Sequence, residues 1–278
     1  MRLNLKKRRR FDLRKAFFIL PNLFTVSSIF CGFYGAVLAA SASGPTMADQ
    51  LYRACIAVLF AMVFDAVDGR VARLTRTQSA FGVQMDSLAD VISFGVVPGL
   101  IAWHWGLNAY GTTGLFACFV YCACGAIRLA RFNVMAAADD GPSSYFLGLP
   151  IPAAAGFLVA AIITTLKHKG ANIQVDWWAP TLLYVLGFLM VSNVRFRTFK
   201  ATRLDRKSGT VLVSIIVISL VIGTQISASF AIVILMGGYL SLGVIEGIIG
   251  LFKREEDDDL ATESARGPYD DGEEELID

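Results

Sequence analysis

Long apolar runs separated by short polar connections make up most of this chain. Each run approaches or exceeds the roughly 20 residues that a helix needs to cross about 30 Å of hydrocarbon. There are eight such runs, at residues 18–41, 51–68, 84–107, 112–134, 150–166, 177–194, 209–225 and 228–252. The pattern therefore predicts an all-α integral membrane protein, built as a bundle of about eight transmembrane helices.

The composition supports a membrane protein and narrows the chemistry that it can perform. Of the 278 residues, 55% are hydrophobic and 17% are charged, whereas soluble domains are about 45–50% apolar and about 25% charged. The five cysteines all lie in apolar runs, and the two histidines do not stand at zinc-ligand spacing. An ordinary soluble enzyme and a zinc site are both disfavoured, so carboxylates are the expected reactive groups.

The few charged residues predict how the chain is oriented. Of the 25 Lys and Arg residues, 22 lie in the N-terminal arm, the even-numbered connections and the C-terminal end; the others are Arg53, Lys167 and Lys169. Basic residues accumulate on the cytoplasmic side of a membrane. Both termini are therefore expected in the cytoplasm, which agrees with an even number of spans, and the expected location is a cytoplasmic (inner) membrane.

Four aspartates stand at helical spacing where the second run ends and the third begins. Asp65 and Asp68 are three residues apart, and Asp86 and Asp90 are four apart, so each pair lies on one helix face. Carboxylates at membrane depth are costly, and like charges repel, so cations are expected between them. All-oxygen ligation favours Mg²⁺ or Mn²⁺, and a two-metal site of this kind holds phosphates during in-line displacement.

The glycines and arginines next to the four aspartates can be interpreted in more than one way. Gly69 and Gly82 either allow a ligand to approach the backbone closely or allow helices to pack. Arg73 lies one turn beyond Gly69 and could hold a phosphate with its guanidinium fork. In the structural alternative, the four aspartates instead form a helix-end ion network with Arg70, Arg73 and Arg76.

This region resembles the signature of the CDP-alcohol phosphatidyltransferase family at all eight of its fixed positions. The matching residues are Asp65, Asp68, Gly69, Ala72, Arg73, Gly82, Asp86 and Asp90. The resemblance implies a membrane enzyme that transfers a phosphatidyl group from a CDP-linked lipid to an alcohol and releases CMP. It also implies two divalent cations, Mg²⁺ or Mn²⁺, and a homodimer.

The resemblance also implies roles for individual residues. The implied metal ligands are Asp65, Asp68, Asp86 and Asp90, and Asp90 is in addition the implied catalytic base. The implied contacts to CDP-diacylglycerol are Asn22, Thr25, Gly69, Arg73, Ser79 and Gly82. For Asn22 and Thr25 an ordinary helix start, with both side chains bonding local backbone, is the alternative.

Three further stretches, at 128–133, 146–152 and 192–197, resemble the phosphatidylserine synthase branch of that family. The branch implies CDP-diacylglycerol and L-serine as substrates, with CMP as a product. A serine carboxylate needs cationic or amide donors, for which the candidates are Arg128, Arg131 and Asn133; the two arginines could instead only set the topology.

We expect three parts along the chain: a basic arm at 1–17, a transmembrane catalytic domain at 18–254 and an acidic, disordered tail at 255–278. The expected partners are membrane lipids and no nucleic acid. The alternatives are a related transferase that uses glycerol phosphate, inositol phosphate or choline, a cation-coupled transporter, and a bundle whose aspartates only pair helices.

Overall fold

The computed structural model describes residues 13–75, 79–138, 145–169, 175–197, 237–238 and 241. Seven α-helices dominate this part of the chain: α1 Leu13–Ala40, α2 Met47–Thr75, α3 Ala80–Asp90, α4 Val97–Trp105, α5 Gly111–Ala138, α6 Ile151–Lys169 and α7 Trp178–Val191. A π-helical segment, Val91–Val96, joins α3 to α4, and 3-10 turns at Gly44–Thr46 and Leu107–Tyr110 precede α2 and α5. Two short strands, β1 Tyr145–Leu147 and β2 Arg195–Arg197, pair antiparallel.

The described helices confirm that the first six apolar runs are helical and that the fold is an essentially helical membrane fold. Within the described residues, four helical stretches are long and apolar enough to cross a membrane: Asn22–Ala40, Ala80–Trp105, Leu107–Ala137 and Ile151–His168. The shorter α7 is also apolar, and α2 is long but carries acidic and basic side chains. The seventh run, most of the eighth, the basic arm up to residue 12 and the acidic tail lie outside the described residues.

A fragment of the eighth run is described and is helical. Ser241 donates a hydrogen bond to the Gly237 carbonyl at 2.8 Å. A Cβ on Gly237 would lie 3.4 Å from the Phe157 ring. This part of the run therefore lies beside α6.

The third span occupies the middle of the bundle. The path from Ala80 to Trp105 packs against α1, α2, α5 and α6, while α1 runs along α2 and α5 runs along α7. Phe94 and Trp105 on this path, and Tyr121 on α5, are completely buried. By contrast, large apolar side chains on outer faces, such as Phe33 and Phe119, are more than half exposed, as expected of surfaces that face lipid.

The connections bring alternate helix ends to one side of the bundle. The end of α2, the start of α3 and the ends of α5 and α7 share this side with the strand pair, and it is the side on which most basic connections were expected. Gly148, which leads from β1 into α6, has a positive φ of 75°. A Cβ there would collide with the Met190 carbonyl, so glycine allows the chain to turn tightly against the end of α7.

Candidate active site

Three of the four aspartates come together near the end of α2 and the start of α3. One carboxylate oxygen each from Asp65, Asp68 and Asp86 lies within 4.8 Å of the other two. Local spacing explains why Asp65 and Asp68 share one face of α2, because residues three or four apart lie on one helix face. The packing of the helices brings Asp86 to that face. The three oxygens are close enough to ligate a common cation.

Asp90 extends this cluster inward by one turn of helix. Its side chain is 9% exposed, and its carboxyl group is in hydrogen-bonding contact with that of Asp65. Its Oδ1 atom is buried and has no hydrogen-bond partner among the residues that the structure describes. The buried Arg128 guanidinium lies near enough to interact electrostatically with Asp90. The structure thus unites all four predicted carboxylates.

Helix α1 contributes two of the polar residues that the sequence singles out. Thr25 Oγ1 donates to Asp68 Oδ2 at 2.8 Å, and both side chains are buried. The side chain of Thr25 therefore links α1 to α2. Asn22 lies beside the start of α3, since a Cβ on Gly82 would be 3.7 Å from Asn22 Oδ1.

The two signature glycines have different surroundings. A Cβ on Gly69 would meet no atom within 4 Å among the described residues, so helix packing does not require a glycine there. A Cβ on Gly82 would lie 3.2 Å from Ser79 Oγ. Ser79 itself caps α3, because its Oγ accepts a hydrogen bond from the Gly82 amide at 3.0 Å. Open space beside the carboxylates at Gly69 leaves room for a ligand.

The end of α5 is hydrogen-bonded both to α3, which carries Asp86 and Asp90, and to the end of α7. Asn133 Nδ2 donates to Ser87 Oγ at 2.9 Å, beside Asp86. Arg131 donates through Nη2 to Asn193 Oδ1 at 2.7 Å and through Nη1 to the carbonyl of Val191 at 3.3 Å. Asn133 therefore lies next to the carboxylate cluster, whereas these two Arg131 nitrogens bond the end of α7.

Arg70 and Arg73 do not form the alternative ion network with the aspartates in the part of the chain that the structure describes. Arg70 and Arg73 are exposed, and neither forms an ion pair with any of the four aspartates among the described residues. Arg76 lies outside those residues. Three carboxylates lie in close contact, and beside them Asp90 has a buried oxygen without a partner among the described residues. Together they form an all-oxygen donor set that fits divalent cations of the Mg²⁺ type.

Comparison with known proteins agrees with this geometry. Residues 18–189, which include the complete carboxylate cluster, match the CDP-alcohol phosphatidyltransferase family. The chain belongs to this family. It is therefore a member of a transferase family, as the resemblance implied.

Similar curated proteins carry a more specific name. Two proteins from different strains of Helicobacter pylori, each named CDP-diacylglycerol--serine O-phosphatidyltransferase, are 38% and 37% identical to the chain over 236 residues. These alignments cover 85% of this chain and 94% of each relative. A protein of the same name from Methanocaldococcus jannaschii is 34% identical over 139 residues, which is 50% of this chain and 61% of that protein.

Some polar residues around the family signature were not singled out from the sequence. Ser87 accepts from Asn133, and the buried pair Ser28 and Ser93 bonds α1 to the π-helical segment. A signal for two of them was present, because Ser28 lies three residues after Thr25 and Ser93 three residues after Asp90. Each is a hydroxyl one turn beyond a candidate site residue within an apolar run.

Proposed function

We propose that this protein transfers the phosphatidyl group of CDP-diacylglycerol to the hydroxyl of L-serine, giving phosphatidylserine and CMP. The observation that carries the proposal is the 38% identity to a relative of that name over 94% of its length. The four converging carboxylates support it independently, because transfer at phosphorus requires that negative charge be neutralised.

The proposed site holds two divalent cations, Mg²⁺ or Mn²⁺, between Asp65, Asp68, Asp86 and Asp90. When bound, the cations neutralise the pyrophosphate of CDP-diacylglycerol and polarise the phosphorus that reacts. Thr25 holds Asp68 in place through its 2.8 Å hydrogen bond. Gly69 leaves the backbone of α2 open to the nucleotide, and the proposed further contacts to the donor are Asn22, Thr25, Arg73, Ser79 and Gly82.

Asp90 is the proposed base. Its buried Oδ1, which has no hydrogen-bond partner among the described residues, takes the proton of the serine hydroxyl. The serine oxygen forms a bond to the phosphorus next to diacylglycerol. The bond from that phosphorus to the oxygen of CMP breaks, and its electrons leave with CMP. The transfer is a direct in-line displacement, so no covalent enzyme intermediate forms.

The proposed acceptor pocket uses the end of α5. Arg128 and Asn133 lie beside the cluster, and Arg131 is held on α7 at the same end of the bundle. These groups supply the positive charge and amide donors that a serine carboxylate requires. Acceptors that carry a phosphate would call for a larger basic pocket.

The proposed setting is a cytoplasmic (inner) membrane crossed eight times, with both termini and the active site on the cytoplasmic side. This orientation gives the water-soluble serine access from the cytoplasm and the donor lipid access from the membrane. We further propose that the protein acts as a homodimer, with residues 18–254 as the catalytic domain between the basic arm and the acidic tail.

The test is CMP release by the detergent-purified protein with CDP-diacylglycerol and Mg²⁺ or Mn²⁺. Serine, glycerol 3-phosphate, inositol, inositol phosphate and choline are offered separately as acceptors. Release that depends on serine alone is the expected result. Release with a different acceptor would assign another reaction in the family, and no release with any acceptor would favour a cation-coupled transporter.

A further inference from the structure

One turn of α1 is hydrogen-bonded to both of the helices that carry the aspartates. Towards α2, Thr25 Oγ1 bonds Asp68 at 2.8 Å, and Ser28 Oγ donates to a backbone carbonyl of α2 at 3.1 Å. Towards the third span, Ser93 Oγ donates to the Ser28 carbonyl at 3.2 Å. Because Ser93 lies three residues after Asp90, this turn of α1 links the position of Asp68 to that of Asp90.

The contact between Ser28 and Ser93 lies inside the bundle. Ser28 is 2% exposed and Ser93 is completely buried. A buried hydroxyl without a partner is costly, so each of these hydrogen bonds favours one arrangement of the helices. Gly32, one turn further along α1, makes the approach possible, because a Cβ there would lie only 2.7 Å from Ser93 Oγ.

The backbone around Ser93 departs from the α-helix. Ser93 lies in the π-helical segment Val91–Val96, and such widened turns occur frequently at functional sites. Pro98 has no amide hydrogen to donate to the carbonyl of Phe94, four residues earlier. The buried Tyr121 hydroxyl donates to that carbonyl at 2.9 Å. A donor from α5 therefore stabilises the segment that presents Ser93 to α1.

We propose that Ser28 and Ser93 are positioning residues for the aspartate cluster. Their bridge, packed against Gly32, holds the helix of Asp86 and Asp90 at the separation from α2 that divalent cations require. Neither serine is a ligand; both act through the backbones of the helices that carry the ligands. This inference rests on the metal-binding part of the proposed function and does not depend on the acceptor.

The test measures Mn²⁺ binding by calorimetry to the full-length, detergent-purified protein in the absence of substrate. Ser93→Ala is expected to weaken Mn²⁺ binding about tenfold, the lower end of the roughly 10–100-fold effect of residues that orient metal ligands. The Mn²⁺ concentration for half-maximal CMP release should rise by the same factor, while the KM for CDP-diacylglycerol at saturating Mn²⁺ stays unchanged.

Ser27→Ala is the matched control. Ser27 lies next to Ser28, but among the described residues its hydroxyl bonds only the Leu23 carbonyl within α1, at 2.9 Å. Its removal should leave Mn²⁺ binding at the wild-type value. An equal loss in Ser27→Ala and Ser93→Ala would overturn the proposal, because the loss would then be a general effect of removing a hydroxyl.

A double-variant cycle separates positioning from general instability. Gly32→Ala should also weaken Mn²⁺ binding, because its Cβ would meet Ser93 Oγ at 2.7 Å and the Cα and Cβ of Ser93 at 3.1 and 3.2 Å. Since Ser93→Ala removes the closest of these contacts, the double variant Gly32→Ala/Ser93→Ala should lose less affinity than the two single losses added together. Additive losses would overturn the proposal. If Ser93→Ala does not purify in folded form, Gly32→Ala tests the same contact by displacing the hydroxyl.

The two proposals fail in different ways. Wild-type Mn²⁺ affinity in a folded Ser93→Ala protein overturns the positioning role and leaves the proposed transferase standing. The proposed transferase alone is overturned by a different pair of results. In that case the wild-type protein binds Mn²⁺ but releases no CMP with any acceptor, while Ser93→Ala still weakens Mn²⁺ binding.

Discussion

Asp68 and Asp90 are both buried, but their carboxylates are held differently. Asp68 accepts a hydrogen bond from Thr25, whereas Asp90 contacts another carboxyl group and keeps one buried oxygen without a partner among the described residues. A carboxylate with a free oxygen can accept a proton from a bound alcohol. This difference between otherwise similar residues supports the choice of Asp90 as the base.

Replacing Asp90 or Asp86 by asparagine should abolish transfer without preventing folding. Asparagine keeps the shape of the side chain but neither takes a proton nor supplies a negative charge. CMP release should fall by at least the factor of about 10²–10⁴ that a general base contributes. The measurement is serine-dependent CMP release by detergent-purified variants that elute as the wild type does.

Asp49→Asn provides the control for these substitutions. Asp49 lies at the opposite end of α2, where its exposed carboxylate pairs with Arg53 at 2.9 Å. Exposed pairs of this kind contribute little to stability, so activity should be retained. Wild-type turnover in Asp90→Asn or Asp86→Asn would contradict the proposed mechanism.

Arg131→Ala should raise the KM for serine more than the KM for CDP-diacylglycerol. Loss of a hydrogen bond to a charged group costs about 1.5–3 kcal/mol, which corresponds to an increase of about tenfold or more in the KM for serine. Steady-state CMP release with each substrate varied in turn measures both values. Asn193→Ala, which removes only the partner of Arg131 Nη2, should give a smaller increase in the KM for serine. If Arg131→Ala raises both KM values equally, Arg131 is excluded from the acceptor pocket.

At the scale of helices and strands, the third span is unusual because it is continuous but not uniformly α-helical. Its apolar run and Pro98 are evident in the sequence, but the π-helical segment is not. A proline inside a helix leaves a carbonyl without its usual donor, and the response depends on which side chains lie nearby. Here Tyr121 on α5 supplies the donor, so a contact between distant residues determines the local helix form.

Tyr121→Phe should destabilise the protein measurably. The substitution leaves the buried Phe94 carbonyl without its hydroxyl donor, and such a loss costs about 1–3 kcal/mol. Thermal unfolding in detergent should show a lower midpoint than for the wild type. Tyr184→Phe is the control, since among the described residues that hydroxyl makes only a long 3.5 Å contact to the Thr113 carbonyl. Equal shifts in the two variants would show that the bond to the Phe94 carbonyl adds no stability beyond that of the Tyr184 contact.

At the scale of the whole molecule, all four aspartates lie at one end of the described bundle, and the positive-inside rule predicts that this end faces the cytoplasm. This orientation can be tested with the two ends of a single span. Asn108→Cys and Ala137→Cys would be introduced singly into a variant that lacks the native cysteines, because both positions are exposed and lie at the two ends of the stretch Leu107–Ala137.

A thiol reagent that does not cross membranes should label Asn108→Cys in intact cells. It should label Ala137→Cys only after the membrane has been opened, since that residue lies at the active-site end. The reverse pattern would place the active site on the far side of the membrane, where cytoplasmic serine could not reach it.

The sequence alone determined the membrane class, the first six helices and the pairing of the aspartates. Apolar run length determines whether a segment can span a membrane, and the spacing of Asp65 to Asp68 or Asp86 to Asp90 determines that each pair shares a helix face. Both properties depend only on neighbours along the chain. The short pairing of β1 with β2 was not predicted, because it joins two loops that are distant in sequence.

Only the tertiary structure decided how the helices are rotated and tied together. The bonds from Thr25 to Asp68, from Ser93 to the Ser28 carbonyl and from Arg131 to the end of α7 span 43, 65 and 60 or more residues of chain. Helical periodicity identifies the face of each helix but not which face of another helix it meets. That choice depends on the close packing of side chains from several helices at once. Local spacing therefore determines the aspartate pair on each helix, whereas the tertiary structure determines that the two pairs meet and which residues support them.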